Sequence, residues 1–189
     1  MSHTAAEPRR HRLTVDDYYR MGEVGILAPD ARVELIDGEI IDMAPPGNLH
    51  AGTVDQLSAL LWRSVGDGAL LRIQNPVRLD GYSEPQPDVA LLRPRADYYK
   101  SAHPRPEDVW LVIEVADTSL RYDRDVKAGL YARNGIAELW LVDVQDHRLT
   151  RYRGPAKGSY GRVDQPDLGL PLTIDALPDA RIDLSTLFR

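Results

Sequence analysis

Hydrophobic and polar positions along the chain switch between a period of two and a period of three to four, which predicts alternating strands and helices. Thr14, three residues before Asp17, makes a capping arrangement that opens a short helix over Val15 to Met21, ending near Gly22. Val33-Glu-Leu-Ile36 and Glu39-Ile-Ile41 flank Asp37-Gly38, a dipeptide that tolerates positive φ, so these two runs form a tight hairpin. After the break at Pro45-Pro-Gly-Asn48, residues Val54, Leu57, Leu60, Leu61 and Val65 recur at the spacing of one buried helix face. This is the first long helix.

Short β-type segments follow at Leu70 to Gln74, Val77 to Leu79 and Val89 to Leu92, with Gly81, Pro85 and Pro87 between them. Trp110-Leu-Val-Ile-Glu-Val115 is apolar on both faces and reads as a central strand that carries a carboxylate. Asp123 is placed to cap a second helix with Val126, Leu130 and Tyr131 on one side, and Asn134-Gly135 ends it. Glu138-Leu-Trp-Leu-Val-Asp143 is another strand, joined in a hairpin to Leu149-Thr-Arg-Tyr152. Gly154 to Gly161 and Gln165 to Pro171 read as loops, and Leu184 to Phe188 as a closing turn.

Composition narrows the chemistry. The 189 residues include 43% hydrophobic positions, enough for one core without metal or disulfide staples. No cysteine is present, which excludes disulfides, thiolate zinc sites, iron–sulfur clusters and cysteine nucleophiles. The longest apolar run falls far short of a membrane span. Residues 1–12 are polar and basic and read as a flexible tail on a cytoplasmic protein, ahead of a single domain at 13–189. The net charge of −6 disfavours a protein that coats nucleic acid non-specifically.

Five ionisable residues stand out by position. Glu114 sits inside an apolar strand, where a carboxylate is costly unless a cation or several donors meet it; the plainer alternative is an exposed strand end paired with an arginine. Asp88 follows Gln86-Pro87 at the start of a strand, as turn-forming aspartates commonly do. On neighbouring strands the two acids would make the oxygen-rich cleft a hard divalent cation requires. Lys127 lies about one turn into a helix, an end where a cation opposes the macrodipole unless an anion is near. Glu34 points away from Val33 and Leu35, as a half-exposed hairpin residue also would. His50 precedes the long helix and is open to a core or a catalytic reading. No phosphate-cradling glycine loop or nucleophile elbow is present.

The succession Val33-Glu-Leu-Ile-Asp-Gly-Glu-Ile40, Pro45-Pro46 with His50, Gln86-Pro-Asp88, Leu111-Val-Ile-Glu-Val115, Asp123-Arg-Asp-Val-Lys127 through Tyr131-Ala-Arg-Asn-Gly135, and Glu138-Leu-Trp-Leu-Val-Asp143 resembles the Uma-two family of restriction-endonuclease-like proteins, from Leu13 to Phe188. The resemblance implies an α/β (α+β) fold of the PD-(D/E)XK nuclease superfamily: a mixed central sheet flanked by helices, here with an N-terminal β-hairpin extension. It puts Asp88 on the PD element, Glu114 on the second acid, Glu34 on an auxiliary acid and His50 on a family histidine. The lysine expected two residues after the second acid is replaced by Ala116, and Lys127 from the following helix would supply the ammonium.

What the resemblance implies for function is a Mg²⁺- or Mn²⁺-dependent endonuclease acting on DNA. Asp88, Glu114, the Val115 carbonyl and Glu34 would be its metal ligands, with Lys127 and His50 completing the catalytic set. Two readings of other classes stand beside it: a nuclease-fold module that binds nucleic acid or a protein without cutting, and a small-substrate phosphodiesterase with the same metal cluster. A homodimer would be the simplest way for a one-site domain to cut both strands of a duplex. No membrane partner is expected.

Overall fold

The computed structural model describes residues 10–189, so the first nine residues of the expected tail lie outside the described residues. Arg12 lies against the hairpin, its Nε donating to the Asp37 carbonyl at 2.7 Å. The first helix, α1 (Val15–Glu23), starts with the expected capping box: Thr14 accepts from the Asp17 amide, and the Asp17 carboxylate accepts from the Thr14 amide. Strands β1 (Val33–Ile36) and β2 (Glu39–Asp42) pair antiparallel around Asp37 and Gly38, which take φ of 54° and 81°. The long helix α2 (Asn48–Val65) follows.

A six-stranded mixed sheet forms the centre, in the order β3-β4-β5-β6-β7-β8: β3 (Leu70–Ile73), β4 (Val89–Leu92), β5 (Val109–Ala116), β6 (Glu138–Asp143), β7 (Arg148–Ala156) and β8 (Ser159–Asp164). Only β5 and β6 are parallel, and the third helix, α3 (120–133), makes the crossover between them. Alternation along the strands divides the core in two. Leu111, Ile113 and Val115 face α2 with Val89, Leu91, Trp140 and Val142. Val112 and Leu139 face α3 with Ala90, Leu92, Leu130 and Tyr131. A further two-stranded sheet, β9 (Leu172–Ile174) and β10 (Leu177–Ile182), adds Leu172, Ile174 and Ile182 to the α2 side.

Three local expectations differ from the structure. Val77 to Leu79 joins no strand ladder, because its amides bond to Pro85, Pro104 and Ser83 carbonyls in loops. Gly154 to Gly161 is a hairpin rather than a loop, turned by Lys157 and Gly158, both at positive φ. Helix α3 begins at Leu120, so Asp123 lies inside it and does not cap it. Asp123–Lys127 forms a π-helical turn between a single α turn (Leu120–Tyr122) and an α segment (Ala128–Arg133). The extra residue in that turn rotates the helix face, so Val126 is exposed while Lys127 turns inward.

Candidate active site

Val89 pairs with Ile113, so Asp88 lies one residue beyond the end of that ladder, beside Glu114 and Val115 of β5. Pro87 has no amide to extend the ladder, and at this end of β5 the Val115 amide is taken by a side chain: Asp88 Oδ2 accepts from it at 2.8 Å. Its Oδ1 meets His50 Nε2 at 3.0 Å and Gln74 Nε2 at 3.2 Å. Gln74 holds φ at 47° at the end of β3, the left-handed region unusual for a glutamine, which turns it toward the acid.

Lys127 stands between two carboxylates. Its Nζ is 3.1 Å from Glu34 Oε2 and 3.2 Å from Glu114 Oε1. Glu34 also accepts from the Gln86 amide at 3.1 Å, and the Gln86 side chain donates to the Val33 carbonyl at 3.0 Å, so the segment before Pro87 fastens β1 to the sheet. Tyr131, one turn beyond Lys127, donates to Glu114 Oε1 at 2.6 Å. Glu34 is therefore buried rather than half-exposed, because the hairpin docks on the segment Glu84 to Gln86 and on Lys127 of α3.

Glu34, Asp88, Glu114 and Lys127 share one cavity of about 510 Å³, which His50, Gln74, Gln86, Val115, Asp117 and Asp123 also line. Burial pushes the Glu114 carboxyl up to about 8; Lys127 opposes this, and the nearby Asp123, Asp88 and Glu34 reinforce it. Burial acts against the Lys127 charge too, but the Glu114, Glu34 and Asp123 carboxylates outweigh it and hold the ammonium above its ordinary value. Burial likewise raises Asp123, against Lys127 and the Ser119 hydroxyl that donates to it. The hydrogen bond to Asp88 lifts His50, against its own partial burial.

The five residues expected from the sequence, Glu34, His50, Asp88, Glu114 and Lys127, thus line one cavity with Val115. Sequence reasoning placed none of Gln74, Tyr131 and Asp123 at the site, reading Asp123 as a helix cap and Tyr131 as part of that helix's apolar side. A tyrosine on the buried face of a helix needs a partner for its hydroxyl, which was a usable signal; the reach of Gln74 depends on a backbone angle that no local pattern announces. The donors are hard oxygens in excess over cationic charge, a set that suits Mg²⁺ or Mn²⁺. Among the described residues, however, no three or more histidine and carboxylate side chains are grouped to hold a metal ion. Nor is any helix among them long and apolar enough to cross a membrane.

The family model of Uma2, described as "Putative restriction endonuclease", matches residues 15–185. One solved structure of similar fold is described as "a putative nuclease belonging to DUF820" from Anabaena variabilis. It superposes with a TM-score of 0.70 over 93% of this chain and 97% of its own, at 14% identity, which is a likeness of fold. No curated protein matches this chain. The restriction-endonuclease-like architecture expected from the sequence is borne out.

Proposed function

We infer, from the premise that this chain belongs to the Uma2 family, that it is a metal-dependent endonuclease hydrolysing phosphodiester bonds of DNA. The observation that carries this reading is the charge of the cavity. Glu34, Glu114 and Asp123 lie around Lys127 while Asp88 is held by His50, so the buried acids of the cavity outnumber the cations beside them. A hard divalent cation would balance them, and displacing the proton from Glu114 would make its binding pH-dependent. In this reading Asp88, Glu114 and the Val115 carbonyl hold Mg²⁺ or Mn²⁺, with Glu34 as the auxiliary acid. The bound ion would supply an activated water and stabilise charge on the scissile phosphate.

The remaining roles fall to the chain itself. Lys127, kept positive by Glu34 and Glu114, neutralises charge developing on the phosphate. Tyr131 holds Glu114 Oε1 from the side of α3, and His50 with Gln74 holds Asp88 Oδ1. No covalent intermediate is required.

A second reading, a nuclease-fold module that binds without cutting, is favoured by one observation: the Asp88 oxygens are taken by protein donors and no ligand set is grouped for a metal. The test is incubation of single- and double-stranded DNA with wild type and Glu114→Gln in Mg²⁺, Mn²⁺ or EDTA, beside a calorimetric titration of each metal. Metal-dependent cleavage that Glu114→Gln loses is the expected result. Absence of both cleavage and metal heat would overturn it in favour of the binding module.

A further inference from the structure

We propose that the substrate enters this site as single-stranded DNA, a proposal that rests on the nuclease reading and narrows it. Glu34 and Glu114 are 3% exposed, Lys127 5% and Asp88 8%, so the whole reactive set lies on a recessed floor. The cavity above it, about 510 Å³, is within the range of pockets that enclose a small molecule, roughly 300–1,000 Å³. That suits one nucleotide unit and its phosphate.

A duplex presents its phosphates on the outside of a stiff rod whose persistence length is about 150 base pairs, and it offers nothing narrow enough to reach such a floor. An unpaired strand can turn one nucleotide about its backbone into a pocket. The walls match that guest. Ile41, Met43, Pro45 and Tyr122 give the cavity an apolar side, and a half-buried tyrosine is a stacking surface for a base.

Charge agrees with shape. The lining carries six carboxylates (Glu34, Asp42, Asp88, Glu114, Asp117 and Asp123) against Arg32, His50 and Lys127. It contains no cationic track along which a duplex backbone could exchange many counterions, so binding must come from one or two phosphates and from stacking. A single strand also needs only one cut per event, which removes the need for a two-fold dimer.

The experiment compares wild type in Mn²⁺ on circular single-stranded DNA, covalently closed duplex plasmid, a duplex with an internal single-stranded gap, and single-stranded RNA. Anisotropy measurements of single- and double-stranded oligonucleotides in Ca²⁺ run beside it. The expected result is cleavage of the circular single strand, and of the gapped duplex within its gap, about a hundredfold faster than of the closed plasmid; that ratio corresponds to the cost of unpairing and unstacking a base. Tyr122→Ala should raise KM on the single strand about tenfold with kcat little changed and the melt preserved. Equal or faster cleavage of the closed plasmid overturns the single-strand proposal while leaving the nuclease reading intact, and cleavage of RNA in place of DNA overturns its choice of polymer. Selective binding of single-stranded DNA without any cleavage would support the substrate class and refute the nuclease reading. Neither binding nor cleavage would overturn both.

Discussion

Glu114→Gln should stabilise the metal-free protein, and by an amount that grows with pH. The carboxyl titrates near 8 in the folded chain against an ordinary value of 4.5, chiefly because burial disfavours its charge. Between those two values the folded state holds a proton that the unfolded state has released, so stability is greatest below pH 4.5, falls as pH rises toward 8 and then levels. At about 1.4 kcal/mol per unit the full fall is ~5 kcal/mol, and ~3 kcal/mol if the upper value is a unit lower. Glutamine keeps an acceptor for Tyr131 Oη and Lys127 Nζ but has no charge to desolvate. The variant should therefore match wild type near pH 4.5 and exceed it by roughly 3–5 kcal/mol above pH 8. The assay is urea unfolding in EDTA from pH 4.5 to 9. Saturating Mn²⁺ should narrow the gap, since at 100 times Kd it adds about 2.7 kcal/mol to wild type, while the variant has lost a ligand. Parallel pH curves for the two proteins would refute the reasoning, because Glu114 would then be ionised in both states across this range.

Lys127→Met removes the ammonium between Glu34 and Glu114 and leaves both carboxylates buried without it; urea unfolding at pH 7 should show a loss of about 3–5 kcal/mol, and cleavage should cease. Gly38→Ala puts a Cβ 2.6 Å from the Arg12 Cβ at a φ of +81°, so it should cost roughly 1–3 kcal/mol by thermal unfolding. Glu138→Ala takes the acceptor from Trp140 Nε1 and from the Asp175 amide, the link between β6 and the β9–β10 pair; a loss of about 1–3 kcal/mol is expected in a chemical melt, with faster hydrogen exchange at Asp175.

Local chemistry was enough to write the hairpin, the long helix and the central strand from the sequence. Asp37-Gly38 supplies the positive φ a two-residue turn needs, and the periods at 54–65 and 110–115 state which positions must be buried. Those same patterns, with Pro87 halting a ladder, singled out Asp88 and Glu114 as acids in costly places. The β7–β8 hairpin escaped because its strands are short of apolar alternation, so only the Lys157-Gly158 turn marked it. Register decided the rest. A helical period cannot announce one extra residue in a turn, yet the π-helical turn is what exposes Val126 and aims Lys127 between Glu34 and Glu114. The burial of Glu34 arises from β1 docking on segments about fifty and ninety residues away in sequence, through Gln86 and Lys127, and the hold of Gln74 on Asp88 from a left-handed φ at the end of β3. Such contacts depend on how separate elements pack, and no local pattern of residues carries that information.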